Sequence, residues 1–368
     1  MKNIVFILLF FTFIGVLIGA NIYLSRRFAW YFGFESAARF YILFATLTIF
    51  MIGGIIAFTN SMTFAGSLMY SGAAITMGIV LYLLLSTLMV DVFHFIIKLQ
   101  PGIYGLLAIG LTLIFSIVGI YMASNLKVTK VEVPIKGLTS EVRAMHMSDI
   151  HIGHCRGKKF LQKIVDKTNN QNPDVVFLTG DLFDGRIRLT EENLTPLKQL
   201  NVPVFFVEGN HDKYTGVGII KQYLRNINVH VLENEVTKFS ELQIIGLNHM
   251  LADNNSVDMH ATGVRLTIKN VLQNLDVEQT KPTVLLHHSP DGVQYASEKG
   301  VDLYLAGHTH AGQLFPVNYI ARLLFPYNNG LHIYNGTRIF VSEGAGTFGP
   351  PMRLGTKSEI ALITLKPE

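Results

Sequence analysis

The segment Asp174-Val-Val-Phe-Leu-Thr-Gly-Asp-Leu-Phe-Asp184 decides the fold of the second half of this chain. Its apolar run at 174–179 is typical of a buried β-strand, and Gly180 allows a tight turn where the strand ends. Two acidic residues, Asp181 and Asp184, follow at once. We therefore expect a buried strand whose carboxyl end presents carboxylates.

The same arrangement recurs outward from this segment, over residues 127–368. Apolar runs predict strands at 130–133, 142–147, 174–179, 203–208, 242–247, 283–286, 302–306, 339–341 and 360–365. Helices are predicted between them at 160–169, 192–200, 218–226, 264–275 and 291–299. This alternation favours a layered α/β domain, with direct strand-to-strand connections later in the chain.

Five polar clusters stand where predicted strands end. They are Asp149-Ile-His151, Gly180-Asp-Leu-Phe-Asp184, Gly209-Asn-His-Asp212, His287-His-Ser-Pro290 and Gly307-His-Thr-His310. Ligands of open α/β sheets bind in the crevice beyond the carboxyl ends of the strands. Carboxylate, amide oxygen and imidazole bind Mn, Fe or Zn. A single Asp-x-His is typical of a surface and a single Gly-Asn-His-Asp of a turn, so only the ordered set of five predicts a metal site.

This ordered set resembles the calcineurin-like metallophosphoesterase superfamily, over about residues 142–365. The resemblance implies a two-sheet β-sandwich flanked by helices. The later segment Gly344-Ala-Gly-Thr-Phe-Gly-Pro-Pro-Met-Arg-Leu-Gly355 resembles the bacterial branch of membrane-associated phosphodiesterases. Relatives in that branch include enzymes that cleave the pyrophosphate of UDP-2,3-diacylglucosamine.

The resemblance also implies roles for individual side chains. The metal ligands would be Asp149, His151 and His310 for one ion, Asn210, His288 and His308 for the other, and Asp181 bridging both. His211 would contact the phosphate and protonate or stabilise the leaving oxygen, with Asp212 orienting it. The family pattern places the ligand histidine two residues before proline, which selects His288 over His287. Asp184 would orient the metal ligands without binding a metal itself.

Such a site predicts a hydrolase of phosphate esters that uses two divalent ions, with Mn²⁺ favoured over Fe²⁺ or Zn²⁺. Two ions about 3.5–4 Å apart neutralise the anionic ester and lower the pKa of bound water. A hydroxide bridging the ions would attack the phosphorus in line. A positioned acid such as His211 contributes typically about 10²–10⁴-fold to the rate.

The residues before Leu126 predict a membrane domain. Hydrophobic residues make up 49% of the chain and charged ones 15%, and three long stretches carry no charge, at 3–25, 40–90 and 99–126. A bilayer core needs roughly 20 apolar helical residues. We predict a transmembrane domain over 1–126, with helices at about 4–24, 38–58, 66–94 and 102–124, and a phosphoesterase domain over 127–368. A cleaved signal peptide is the alternative interpretation of the first helix.

The basic residues near the predicted helices favour an orientation. One side carries Arg26, Arg27, Arg39 and Lys98, and the other carries Lys2, Lys127 and Lys130. Positive charge favours the cytoplasm. The chain is therefore expected to be a multi-pass protein of the cell membrane whose catalytic domain is extracytoplasmic.

Other residues carry weaker expectations. Asp91 and His94 are expected at the membrane interface rather than at an intramembrane site. Arg186 and Arg188 are expected to be solvated loop residues, and Arg353 to support the site. The single Cys155 excludes an internal disulfide and is expected to be partly buried. The net charge of +4 is dispersed, so no nucleic-acid partner is expected.

Three functions remain open. The first is hydrolysis of a phosphodiester or pyrophosphate bond in a lipid-linked substrate, with membrane lipid as the partner and a role in lipid metabolism. The second is a tethered phosphodiesterase for soluble nucleotide or cell-wall substrates. The third is a non-catalytic membrane sensor, which the complete ligand set disfavours. A transporter is disfavoured because the predicted helices have few polar residues. The sequence leaves the oligomeric state open.

Overall fold

The structure is a computed structural model that describes residues 2–185, 190–256 and 266–368, with side chains from residue 11 onward. The chain forms two compact units. One comprises Met1–Tyr121 with Gly349–Met352, and the other Met122–Phe348 with Arg353–Glu368. The predicted domain boundary between residues 126 and 127 stays a prediction.

The first unit is built from long helices. They are α1 Lys2–Tyr31, α2 Ala38–Phe58, α3 Phe64–Ile96 and α4 Pro101–Ser124. Among the described residues, α2, α3 and α4 are long and apolar enough to cross a membrane. The predicted span within α1 stays a prediction.

Asp91 of α3 is the centre of a polar network with α1. It accepts hydrogen bonds from the hydroxyl groups of Tyr23 at 2.5 Å and Tyr31 at 2.8 Å, and it pairs with Arg27. The guanidinium of Arg27 also lies 4.4 Å from the centre of the Trp30 ring. A carboxylate in an apolar helix needs such partners because an unpaired buried charge is costly.

The second unit contains the remaining helices and all described strands. The strands are β1 Lys127–Ile135, β2 Val142–Met147, β3 Val175–Thr179, β4 Val204–Val207, β5 His230–Val231, β6 Glu235–Phe239, β7 Leu242–Gly246, β8 Thr283–Leu286, β9 Leu303–Ala306, β10 Gly330–Tyr334, β11 Thr337–Val341 and β12 Glu359–Pro367. The helices are α5 Lys158–Asn169, α6 Asn210–Thr215, α7 Val217–Asn226, α8 Ile268–Asn274, α9 Val293–Glu298 and α10 Val317–Leu324, with 3₁₀ helices at Glu191–Gln199 and His310–Gly312.

The strands form two mixed six-stranded sheets, in the orders β1-β12-β2-β3-β4-β5 and β10-β11-β9-β8-β7-β6. Side chains from both sheets share one core cluster, including Val175, Phe205, Ile244 and Leu303, so the sheets pack face to face as a sandwich. Helices α5 and α7 cover the outer face of the first sheet, and α8 and α9 cover that of the second. The expected α/β architecture of two sheets is therefore confirmed.

Most predicted elements are present, and the differences have local reasons. The predicted helix at 192–200 is a 3₁₀ helix with Pro196 inside it, because proline lacks the N–H that an α-helix needs. Strands β6 and β10 were not predicted. They lie at the edges of their sheet and expose about every second residue, so their sequences lack a continuous apolar run. The predicted helix at 264–275 is observed as α8, while residues 264–265 lie outside the described part.

Candidate metal centre

The five polar clusters lie at one end of the sandwich. Strands β2, β3 and β4 run parallel in the first sheet, and β7, β8 and β9 run parallel in the second. The clusters follow the carboxyl ends of β2, β3, β4, β8 and β9. Parallel strands deliver the residues after them to a common edge, and this explains why distant segments meet.

The backbone at this edge adopts an uncommon conformation. Five of the predicted ligands have φ values between 48° and 72°, namely Asp149, His151, Asp181, His308 and His310. Non-glycine residues seldom occupy this left-handed region, although Asn, Asp and His do so more readily than others. Clustered strain of this kind is found where the surrounding structure holds side chains for function.

Asp149, His151 and His310 form a buried group of potential metal ligands. The Nε2 atoms of His151 and His310 are 3.0 Å apart, and the Oδ1 atom of Asp149 lies 3.4 Å from Nε2 of His310. The backbone N–H of His308 donates to both carboxylate oxygens of Asp149. This hydrogen bond fixes the carboxylate between the two histidines.

Asp181, His288 and His308 form a second group. The Nε2 atom of His288 lies 3.1 Å from Oδ2 of Asp181 and 3.2 Å from Nδ1 of His308. The same Oδ2 atom lies 3.8 Å from Nε2 of His151 in the first group. Asp181 therefore stands between the two groups, where a bridging carboxylate would be needed.

His288 and His287 point in different directions. The Nδ1 atom of His288 lies 2.7 Å from the carbonyl oxygen of Thr179, and this contact leaves Nε2 for a metal. The Nδ1 atom of His287 instead lies 2.7 Å from the carbonyl of Ser289 and 3.0 Å from the Tyr304 hydroxyl. His288 thus faces the predicted ligands, whereas His287 faces away from them.

The contact that orients His211 differs from the predicted one. The Nδ1 atom of His211 lies 2.9 Å from Oδ1 of Asp184. Asp212 instead accepts hydrogen bonds from the backbone N–H groups of Leu182, Phe183 and Gly209. The orienting role of Asp212 stays a prediction, since its carboxylate contacts these backbone groups while Asp184 contacts the ring. Its carboxylate is turned towards the loop after β3, because three unpaired backbone donors there need an acceptor.

The histidines have unequal proton affinities. Burial lowers the pKa of His151 to about 4 and holds the pKa of His310 well below its usual value. Both rings are therefore neutral near pH 7, as metal binding requires. Burial also lowers the pKa of His288, but the Asp181 carboxylate outweighs burial and raises it to about 10.

The residues present fit a pair of divalent cations. Oδ1 of Asn210 is buried and has no hydrogen-bond partner among the described residues. A buried oxygen without a partner is costly, and a cation beside it would remove that cost. Imidazole nitrogens of His310 and His288 also lie close to the carboxylates of Asp149 and Asp181. Imidazole and carboxylate are ligands that Mn, Fe or Zn bind.

Arg353 contacts the backbone beside the candidate centre. Arg353 is fully buried and donates to the carbonyl oxygens of Glu343, Gly344 and Gly346 and of His310. These contacts agree with the predicted role of Arg353 in supporting the site.

His249 was not singled out by the sequence. Its buried ring lies 5.7 Å from that of His288 and 5.9 Å from that of His308, measured between centroids. A single histidine after β7 forms no recognisable motif, so only the tertiary structure shows that His249 lies beside the candidate centre. Cys155 is exposed, contrary to expectation, and Arg186 and Arg188 lie outside the described residues.

Comparison with known proteins agrees with this geometry. The family model described as calcineurin-like phosphoesterase matches residues 142–312. An uncharacterized metallophosphoesterase of Aquifex aeolicus is 33% identical over 233 residues, which cover 62% of this chain and 86% of that protein. The chain belongs to the calcineurin-like metallophosphoesterases.

Other relatives of this metallophosphoesterase are matched over a smaller share of their own length. A transmembrane protein with metallophosphoesterase domain from Bos taurus is 33% identical over 71% of this chain and 62% of its own length. An uncharacterized metallophosphoesterase of Helicobacter pylori is 32% identical over 66% of this chain and 64% of its own length. The chain thus spans a little under two thirds of these two relatives. The apolar helices and the relative from Bos taurus indicate membrane association.

Proposed function

We propose that this metallophosphoesterase hydrolyses a phosphodiester or pyrophosphate bond in a lipid-linked substrate. The observation that carries the proposal is the position of Asp181, whose Oδ2 atom lies within 4 Å of a histidine from each ligand group. When bound, two divalent cations neutralise the phosphate and lower the pKa of water. Asp149, His151 and His310 would hold one cation, Asn210, His288 and His308 the other, and Asp181 both.

His211 is proposed to act on the leaving group. Its ring is partly exposed and lines a cavity of about 320 Å³ together with Asp181, Asn210, His308 and His310. Asp184 holds the far side of the ring through Nδ1, so Nε2 remains available to a substrate oxygen. A ring fixed in this way donates a proton without first having to reorient.

The test is an assay of this chain, with its apolar helices, in nanodiscs. After removal of metals with a chelator, added Mn²⁺ is expected to restore hydrolysis of bis-p-nitrophenyl phosphate. Asp181→Asn is expected to lose most of this activity, by roughly 10³-fold, and to bind less metal by elemental analysis. Asp276→Asn, at an exposed site, serves as the control. Near-native turnover by Asp181→Asn would contradict the proposal.

The lipid-linked substrate is supported by the membrane association of the chain. Helices α2, α3 and α4 are long and apolar enough to cross a membrane, and such an anchor would hold the site near a lipid-linked substrate. A panel of UDP-2,3-diacylglucosamine, an undecaprenyl phosphate ester and a cyclic dinucleotide separates the alternatives. Preference for the cyclic dinucleotide would favour a tethered enzyme for soluble substrates.

We also propose that the phosphoesterase domain is extracytoplasmic. Arg26 and Arg27 lie in the last two turns of α1, Arg39 in the first turn of α2, and Lys98 between α3 and α4. Excess positive charge at this side favours its cytoplasmic placement. Protease added to intact cells should then cleave the domain, and protection until the cells are lysed would contradict this orientation.

A further inference from the structure

Helix α10 exposes an unusual amount of apolar surface. Six of the twelve large apolar side chains exposed in the described part of the phosphoesterase domain lie within residues 315–324. They are Phe315, Val317, Tyr319, Ile320, Leu323 and Leu324. Leu323 is 87% exposed, while Asn318 and Ala321 on the opposite side of the helix are buried. Contiguous apolar patches on a domain surface mark sites of interaction.

The same helix forms a wall of the candidate active-site cavity. Val317, Ile320 and Leu324 line that cavity together with Phe348 and with residues of the ligand groups. Because these three residues follow one another at intervals of three and four, they form one stripe of the helix. Tyr319 and Leu323 form the neighbouring stripe. The exposed surface is therefore continuous with the lining of the catalytic cavity.

The connection between the apolar helices and the phosphoesterase domain is short. Helix α4 ends at Ser124 and β1 begins at Lys127, so the connection extends at most about 10 Å. A domain of this size has a radius of gyration of about 18 Å. If α4 crosses a bilayer, part of the domain surface must remain beside that bilayer.

The composition of α10 suits the bilayer surface. Arg322 is exposed, and its guanidinium lies 5.6 Å from the centre of the Tyr319 ring. The helix contains no acidic residue. Aromatic and basic residues beside exposed leucines are typical of helices that lie in the headgroup region, where a cation meets anionic lipid.

We propose that α10 lies in the headgroup region of the lipid bilayer, with Leu323 among the acyl chains, and that the cavity opens towards the lipid along Val317, Ile320 and Leu324. An amphiphilic phosphate ester would then place its phosphate at the ligand groups and its apolar part along this wall. The role in substrate entry rests on the proposed function, whereas the membrane contact does not.

The membrane contact is tested by fluorescence, without any substrate. An environment-sensitive fluorophore is attached to Leu323→Cys in a Cys155→Ser background. The chain, with its apolar helices, is placed in nanodiscs that contain doxyl-labelled lipid. Ile333→Cys is the matched control, because Ile333 is 69% exposed on the edge strand β10. We expect at least about threefold stronger quenching at position 323 than at 333. Equal quenching at the two positions would overturn the proposal.

Substrate entry is tested with a matched pair of esters. One is bis-p-nitrophenyl phosphate in solution, and the other is a p-nitrophenyl phosphodiester of a long-chain alcohol embedded in the nanodisc. Leu323→Ser is expected to lower the ratio of lipid-ester to soluble-ester turnover by about tenfold, whereas Ile333→Ser leaves the ratio unchanged. An unchanged ratio in Leu323→Ser would overturn the entry route. If the unsubstituted protein hydrolysed neither ester, the proposed function itself would fail, and the quenching result would still decide the membrane contact.

Discussion

His211 and Asp184 are joined by a contact of 2.9 Å between Nδ1 and Oδ1, although 27 residues separate them in the chain. Burial lowers the pKa of His211, but the carboxylates of Asp181 and Asp184 outweigh burial and raise it to about 9. The ring therefore carries a proton at neutral pH in the cation-free protein. Asp184 both orients the ring and supports its charge.

Asp184→Asn is expected to weaken proton donation to the leaving group. The variant keeps the size of the side chain but removes the negative charge, so the pKa of His211 falls and the ring is held less firmly. Turnover of an alkyl phosphodiester should drop by about 10²-fold, and that of bis-p-nitrophenyl phosphate by less, because p-nitrophenolate leaves without help. Bound metal is measured in parallel. An equal drop for both esters would argue against this role.

Gly209→Ala is expected to disrupt the centre. A Cβ atom at residue 209 would overlap the carboxylate of Asp181 and lie 2.5 Å from its backbone nitrogen, and overpacking of this kind typically costs about 1–3 kcal/mol. We expect a lower melting temperature and loss of bound Mn²⁺. Gly218→Ala in α7, where an added Cβ meets nothing within 4 Å, is the control. Full Mn²⁺ occupancy in Gly209→Ala would show that Asp181 has room to move.

Cation binding is expected to release a proton from His288. With a pKa of about 10, this ring is protonated in the cation-free protein at neutral pH, and a cation must displace that proton. Affinity for Mn²⁺ should therefore rise by about tenfold per pH unit below the pKa for one displaced proton. Titration calorimetry in buffers of different ionisation enthalpy measures the release. Affinity that does not change between about pH 6 and 8 would exclude it.

Arg353→Met is expected to destabilise the phosphoesterase domain. The guanidinium is fully buried and donates to four backbone carbonyl groups, which would lose their donor. The expected cost is about 3 kcal/mol in the free energy of unfolding, seen as a fall of several degrees in melting temperature. Arg225→Met removes an exposed arginine paired with Glu233 and should cost less than about 1 kcal/mol. Similar melting temperatures for the two variants would contradict the supporting role.

Much of the fold follows from local patterns in the sequence. The bounds of β2 and β8 agree with the predicted ones, because buried parallel strands are short apolar runs that end at polar turns. The order of Asp149, Asp181, Asn210, His288 and His308 along the chain also pointed to the candidate centre. The candidate centre can be predicted from the sequence alone because parallel strands bring their carboxyl ends to one edge of the sheet.

The sequence by itself determined the alternation of strands and helices, the apolar helices and the set of candidate ligands, since each depends on residue type and spacing within one segment. The tertiary structure decided that Asp184 rather than Asp212 contacts His211, that His249 borders the centre, and that α10 is exposed beside the cavity. Those relationships depend on the direction in which each turn sends its side chains. That direction is set by backbone conformation and by packing between segments distant in the chain, which no local pattern records.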